Sequence, residues 1–181
     1  VVNAGELDLL VNLACNARKH KVSVANMVVF SGSPDVAETA SDMGMIGLFH
    51  KGFYNVLRKQ SHDYLDFTFV GMMWYKAFSI FTVLHLGYHM LFQDVDLVWF
   101  RDPFPLFHSL VEKHHISAIL TDDGQRSLRY SPFFANSGFY YLRNTPETVH
   151  FAWSIMGAFP MIQRLGSHQN MFTMKLQEHM D

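Results

Sequence analysis

Asp94 and Asp96 are separated by one residue in the run LGYHMLFQDVDLVWF. In an extended chain, side chains at i and i+2 point the same way, about 6.5 Å apart. Two carboxylates facing one space repel each other unless a cation or a proton stands between them. A hard divalent ion with oxygen ligands meets that need, and such ions usually also take substrate phosphates. Held there, the ion neutralises charge on a departing diphosphate, the chemistry of sugar transfer from a nucleotide diphosphate donor. The pair alone is a weak signal: eleven aspartates in 181 residues give about 0.7 such pairs by chance, and exposed turn carboxylates or helix caps look the same. Its setting adds weight, because carboxylates at the end of a buried strand are costly unless paired or coordinated.

The elements around the pair follow a helix–strand rhythm. Leu7, Leu10, Val11 and Ala14 recur at helical spacing, with Arg18, Lys19, His20 and Lys21 at the end that favours cations. Residues 27–30 read as a short buried strand. Ser33-Pro34-Asp35 is a capped helix start that Gly44 ends, and 45–49 is another strand. Residues 50–66 are more polar and read as a connection. Residues 74–86 carry a helical apolar face stopped by Gly87, and 88–92 form the strand that runs into Asp94. Pro103 and Pro105 break the chain. Strands follow at 116–120 and 139–142, then a capped start at Thr145-Pro146-Glu147 and a last helix near Ser167. Helices alternating with short apolar strands predict an α/β fold with a mostly parallel sheet covered on both faces, in which ligands bind beyond the carboxyl ends of strands. No repeat or linker interrupts the chain, which predicts one domain over residues 1–181. Val1-Val2 reads like the end of a strand and gives the expectation of a fragment trimmed at both ends.

Composition removes several function classes. An apolar fraction of 49% against 17% charged excludes a disordered polar segment. Fourteen Lys and Arg against sixteen Asp and Glu supply no strong positive field, which argues against a nucleic-acid partner. The single cysteine, Cys15, excludes an intrachain disulfide and a cysteine-cluster metal site. No GxGxxG or P-loop follows a strand, weighing against a dehydrogenase or P-loop enzyme. The uncharged run 77–93 is bounded by Lys76 and Asp94 and interrupted by Gly87, so it reads as core helix and strand, not as a membrane span.

From Lys76 through Gly87-Tyr88-His89-Met90-Leu91-Phe92-Gln93-Asp94-Val95-Asp96 to Trp99-Phe100-Arg101-Asp102-Pro103, the chain resembles the nucleotide-diphospho-sugar transferase family. That family includes plant and algal cell-wall arabinosyl- and xylosyltransferases of glycosyltransferase family 77. Asn3-Ala4-Gly5, Thr121-Asp122-Asp123-Gly124, Asn136-Ser137-Gly138-Phe139-Tyr140-Tyr141-Leu142-Arg143 and His168-Gln169 continue the resemblance in the right order. It implies a Rossmann-like GT-A fold and a glycosyltransferase that moves a sugar from a nucleotide-sugar donor, usually UDP-linked, to a glycan or glycoprotein acceptor with retention. It also implies Mn2+ or Mg2+ at Asp94 and Asp96, and the Golgi lumen, with a type II membrane anchor outside this chain. A C-terminal histidine often completes such a metal site; His179 matches no family motif. A domain without turnover, binding nucleotide or glycan or scaffolding a partner, is the competing class, and a metal-dependent hydrolase of nucleotide sugars a third.

The resemblance also implies roles for single residues. Lys76 stands where similar transferases keep a base near the nucleotide sugar; otherwise it is a solvated first-turn lysine. Asn3 touches the base or ribose, or caps the first helix. Asp94 approaches the ribose or sugar. Asn136, Ser137 and Gly138 turn the chain against the donor sugar, with Gly138 allowing close approach, or simply begin a strand. Asp123 and Asp122 orient an acceptor hydroxyl or the donor sugar, or form a turn, and Arg126 and Arg129 pair with them or with the diphosphate. Gln169 falls where related retaining transferases face the reacting carbon, and its amide oxygen is expected to stabilise the cation-like carbon. His168 replaces the aspartate of many relatives, beside the donor; both residues also suit a helix surface.

Overall fold

A computed structural model of the chain describes residues 1–57, 66–124, 133–165 and 167–178. In order these form α1 (Leu7–Lys19), β1 (Val28–Ser31), α2 (Pro34–Asp42), β2 (Ile46–Phe49), α3 (Lys51–Leu57), α4 (Phe67–His85), β3 (Met90–Gln93), α5 (Phe104–His114), β4 (Ala118–Asp122), β5 (Ala135–Leu142), α6 (Pro146–Gly157), α7 (Phe159–Leu165) and α8 (His168–Glu178). The α/β class expected from the sequence is the class adopted. The chain gathers into two compact units, one of Val1–Tyr75 and Asp94–Pro105, the other of Lys76–Gln93 and Leu106–Asp181.

In the first unit β1 pairs in parallel with β2, and Val2 adds a parallel bridge to Ser31. Leu10, Leu13 and Ala14 of α1 bury their face with Val29 of β1, Val36 and Ala40 of α2, Val2 and Met45. The expected cap is in place: the Ser33 hydroxyl accepts from the Val36 amide, and Pro34 opens α2. Gly47 lets α2 lie directly on β2, since a Cβ there would sit 1.9 Å from the Ala37 carbonyl oxygen. Phe53 of α3 stacks on Tyr75 at 4.1 Å between ring centres, and burial pushes the Tyr75 hydroxyl up to about 12.

The second unit corrects the expectation of a mostly parallel sheet. Among the described residues parallel pairing is confined to the first unit; here β5 is central and antiparallel to both β3 and β4. A short apolar run marks a strand but carries no direction, so the sequence pattern could not separate the two cases. Helices do cover both faces of this sheet. Tyr141 stacks on Phe107 of α5 at 5.5 Å, while its neighbour Tyr140, on the opposite face, packs against Phe172 of α8 at 4.9 Å. The Thr145 cap and the Gly87 stop, at φ +93°, are where the sequence put them.

Helix α4 begins at Phe67, seven residues before the expected start, capped by the Asp66 carboxylate accepting from the Phe69 amide at 2.7 Å. It is long and apolar enough to cross a membrane by length and composition, yet 44% of that stretch is buried within the protein.

Candidate functional site

Placing the start of α4 earlier changes Lys76. It lies in mid-helix, not in a solvated first turn, and is only 6% exposed. Its ammonium stands 5.3 Å from the centre of the Phe92 ring, over the aromatic face of β3. His168, the first residue of α8, is in the same unit and wholly buried, against Phe172. Burial, and after it the Lys76 charge, hold the imidazole well below the usual histidine range, so the ring is neutral. Among the described residues neither ring nitrogen has a hydrogen-bond partner.

Strand β5 supplies the polar centre of this unit. Its register with β4 runs Leu120↔Tyr140 and then jumps to Thr121↔Asn136, leaving 137–139 as a three-residue bulge. Bulges re-aim side chains, and they concentrate beside active sites. Asn136 braces the bulge: its Oδ1 accepts from the Gly138 amide at 2.7 Å, and its Nδ2 donates to Asp123 Oδ1 at 2.9 Å. Asp122 instead closes a turn by accepting from the Gly124 amide. Ser137, buried, donates from its backbone amide (3.2 Å) and its hydroxyl (3.3 Å) to Gln169 Oε1. Just before α8, the Ser167 hydroxyl accepts from the Gln169 amide at 3.2 Å. Hydrogen bonds therefore join Asp123, Asn136 and Gly138 in one group and Ser137 and Gln169 in another, and the chain at 136–138 links the two. The structure also corrects one detail: the amide oxygen of Gln169 is turned to Ser137 rather than presented for a reacting carbon.

Asn3, Asp94 and Asp96 belong to the first unit. Asn3 is 3% exposed and bonded through three atoms: Oδ1 accepts from the Gly5 amide, Nδ2 donates to Met72 Sδ, and its own amide donates to Glu6. It caps the first helical turn, one of the two roles expected for it. Asp94 directly follows β3 and is half-buried, whereas Asp96 is exposed. Val95 and Asp96 form a turn, so the extended i, i+2 geometry does not hold, and of β3 only Phe92 is buried. Among the described residues no group of three or more His, Cys, Asp or Glu side chains is arranged to hold a metal. Two carboxylates fit an ion that completes its shell with substrate oxygens and water, as Mg2+ commonly does, better than an all-protein cage. Arg126, Arg129 and His179 lie outside the described residues. An open cleft of about 270 Å3 in the first unit, bordered by Arg18, Val22 and Met43, contains none of the expected residues.

Sequence reasoning missed the bulge, since register is a pairing property, and missed Phe92 beneath Lys76, although the apolar run MLF held a signal for it.

Residues 48–180, well over half of the chain, match the family model described as nucleotide-diphospho-sugar transferase. The chain belongs to that family. Every expected site residue except Asn3 lies inside the matched segment. Among similar proteins, a beta-arabinofuranosyltransferase, RAY1, of Arabidopsis thaliana is 35% identical over 75 residues, 41% of this chain and 14% of the relative. A UDP-galactose:fucoside alpha-3-galactosyltransferase of Dictyostelium discoideum is 28% identical over 102 residues, 56% of this chain and 15% of the relative. An uncharacterized Arabidopsis thaliana protein is 28% identical over 81 residues, 45% of this chain and 22% of the relative. The chain thus spans less than a quarter of the length of these relatives. No solved structure matches it significantly.

Proposed function

We propose that this chain is the donor-binding part of a glycosyltransferase that moves a sugar from a UDP-linked donor to a glycan or glycoprotein acceptor, with retention. The observation that carries the reading is the family match over 48–180, which takes in the acidic pair together with Asp123, Asn136, Ser137 and Gln169. Both compact units are assigned to one transferase domain. Asp94 and Asp96 are the residues assigned to hold Mn2+ or Mg2+, which when bound would offset negative charge on the diphosphate. The buried Lys76 adds a fixed positive charge, and Asn136, Ser137 and Gly138 present the bulge to the donor sugar. Asp123, exposed and oriented by Asn136, is assigned to an acceptor hydroxyl or the donor sugar. The Golgi lumen, with an anchor outside this chain, follows from the family resemblance.

Calorimetry of UDP with and without Mn2+ tests the reading. UDP should bind with Mn2+ and bind weakly or not at all without it, and Asp96→Ala should behave like the metal-free protein. Metal-independent binding that is unchanged in Asp96→Ala would overturn the metal assignment. UDP binding without any sugar transfer by the longer protein would favour the non-catalytic class.

A further inference from the structure

His168 is the first residue of α8 and is wholly buried, its ring 5.7 Å from that of Phe172. A neutral imidazole carries one N–H donor and one bare nitrogen, and among the described residues neither meets a partner. The surroundings offer nothing to an added proton either. Helix α4 supplies Lys76, whose positive charge acts on the ring, and β5 supplies the phenol ring of Tyr140, packed on Phe172. Helix α6 carries Glu147 and His150 and α7 carries Arg164, all exposed; on α8 itself Lys175 pairs with Glu178 at 2.6 Å. An imidazolium here would face a second cation and the positive end of its own helix, and among the described residues no carboxylate acts on it.

The next residue ties this ring to the bulge. Gln169 Oε1 accepts from both the amide and the hydroxyl of Ser137 and so locks the bulge to α8. His168 and Gln169 share one helical turn, so moving the ring into water moves Gln169 with it. Tyr140, Tyr141 and Leu142 are held by β3 and β4 on either side and need not follow. We propose that the first turn of α8 is an acid-sensitive latch: on taking up a proton, His168 leaves its buried place, draws Gln169 off Ser137 and frees the bulge while the ladder behind it stays paired. The proton comes from solvent, rests on the imidazole and leaves again as pH rises; no covalent bond changes. The latch belongs to the chain's own fold and does not depend on which ligand the bulge takes.

In the open turn the ring titrates at its ordinary value near 6.5 and in the closed turn well below it, so acid favours the open form. Hydrogen exchange of the Ser137 amide reads that opening, expressed as a protection factor so that the intrinsic pH dependence of exchange cancels. Protection should be constant above pH 6.5 and fall by about tenfold per pH unit below it, until the closed value is reached. Low urea separates the latch from general unfolding. A single turn exposes little surface, so Ser137 protection should barely respond to urea, whereas the amides at 140–142 should be better protected and lose protection steeply. In His168→Gln and His168→Leu the acid dependence at Ser137 should vanish. Ser137 protection that ignores pH, or that follows pH as steeply in both variants as in wild type, overturns the inference. So does Ser137 opening that equals that of the 140–142 amides in size and urea dependence, a comparison made on the wild-type protein alone.

Discussion

Asn3 and His168 are buried to nearly the same depth, one in each unit, and they differ in what their polar atoms do. The backbone amide, Oδ1 and Nδ2 of Asn3 each have a partner. Among the described residues, both ring nitrogens of His168 lack one. Depth alone therefore says little about role; the accounting of donors and acceptors says more. A saturated polar residue is part of the scaffold, and replacing it exposes the partners it served. An unsaturated one already carries its desolvation cost, which the fold sustains for another reason.

The contrast can be broken in three places. The largest effect is expected from Asn3→Ala, which leaves the Gly5 amide of the capping turn without its acceptor. Loss of such a cap typically costs up to about 2 kcal/mol, to be read from the midpoint of urea unfolding. UDP binding should be unchanged under conditions where the variant is folded; a loss of affinity would give Asn3 the donor-binding role as well.

Acid reads the other side. The folded-state pKa of His168 lies below its unfolded value near 6.5, so between the two the unfolded chain binds the extra proton. The contribution is complete above pH 6.5 and is lost as pH falls toward the folded value, with a slope of at most about 1.4 kcal/mol per pH unit. His168→Leu should flatten this part of the stability–pH curve and leave stability at pH 7.5 equal or higher, since it removes two unpartnered nitrogens without a large change in volume. If that variant unfolds as readily as Asn3→Ala, His168 is scaffold and the contrast fails.

The smallest effect is expected from Ser137→Ala. It deletes one of the two bonds to Gln169 Oε1 and keeps the backbone one, a loss of about 1 kcal/mol in thermal or chemical unfolding. No change at all would mean that the hydroxyl bond adds nothing to the lock.

The parts of this architecture that were legible in the sequence are those written in local chemistry. Ser33-Pro34 and Thr145-Pro146 open helices and Gly87 closes one, because caps and left-handed stops depend on a few adjacent residues. Helix α3 was hidden because seven residues are too few to display a periodic face, and α7 for the same reason. Helix α5 was hidden because Pro105 was read as a break, although proline is tolerated in a first turn, here with the Asp102 carboxylate accepting from the Phe104 amide. The start of α4 was obscured by Gly71, a poor helix former that is required there: a Cβ would lie 2.1 Å from Val56. For the site, residue types were readable and their bonding was not. Nothing in the string Asn136-Ser137-Gly138 shows that Asn136 would brace a bulge, or that Ser137 would take the oxygen of a glutamine 32 residues away.

The bulge has a consequence for how such a strand can diversify. Tyr140, Tyr141 and Leu142 are paired on both sides, whereas Ser137 and Gly138 have no in-register partner on either neighbouring strand. Lengthening or shortening the chain at 137–138 shifts the polar tip without moving a single rung of the ladder behind it. The paired ladder and its unpaired polar tip are thus only two residues apart, and the segment offers lineages a place to vary in length while inheriting the same core.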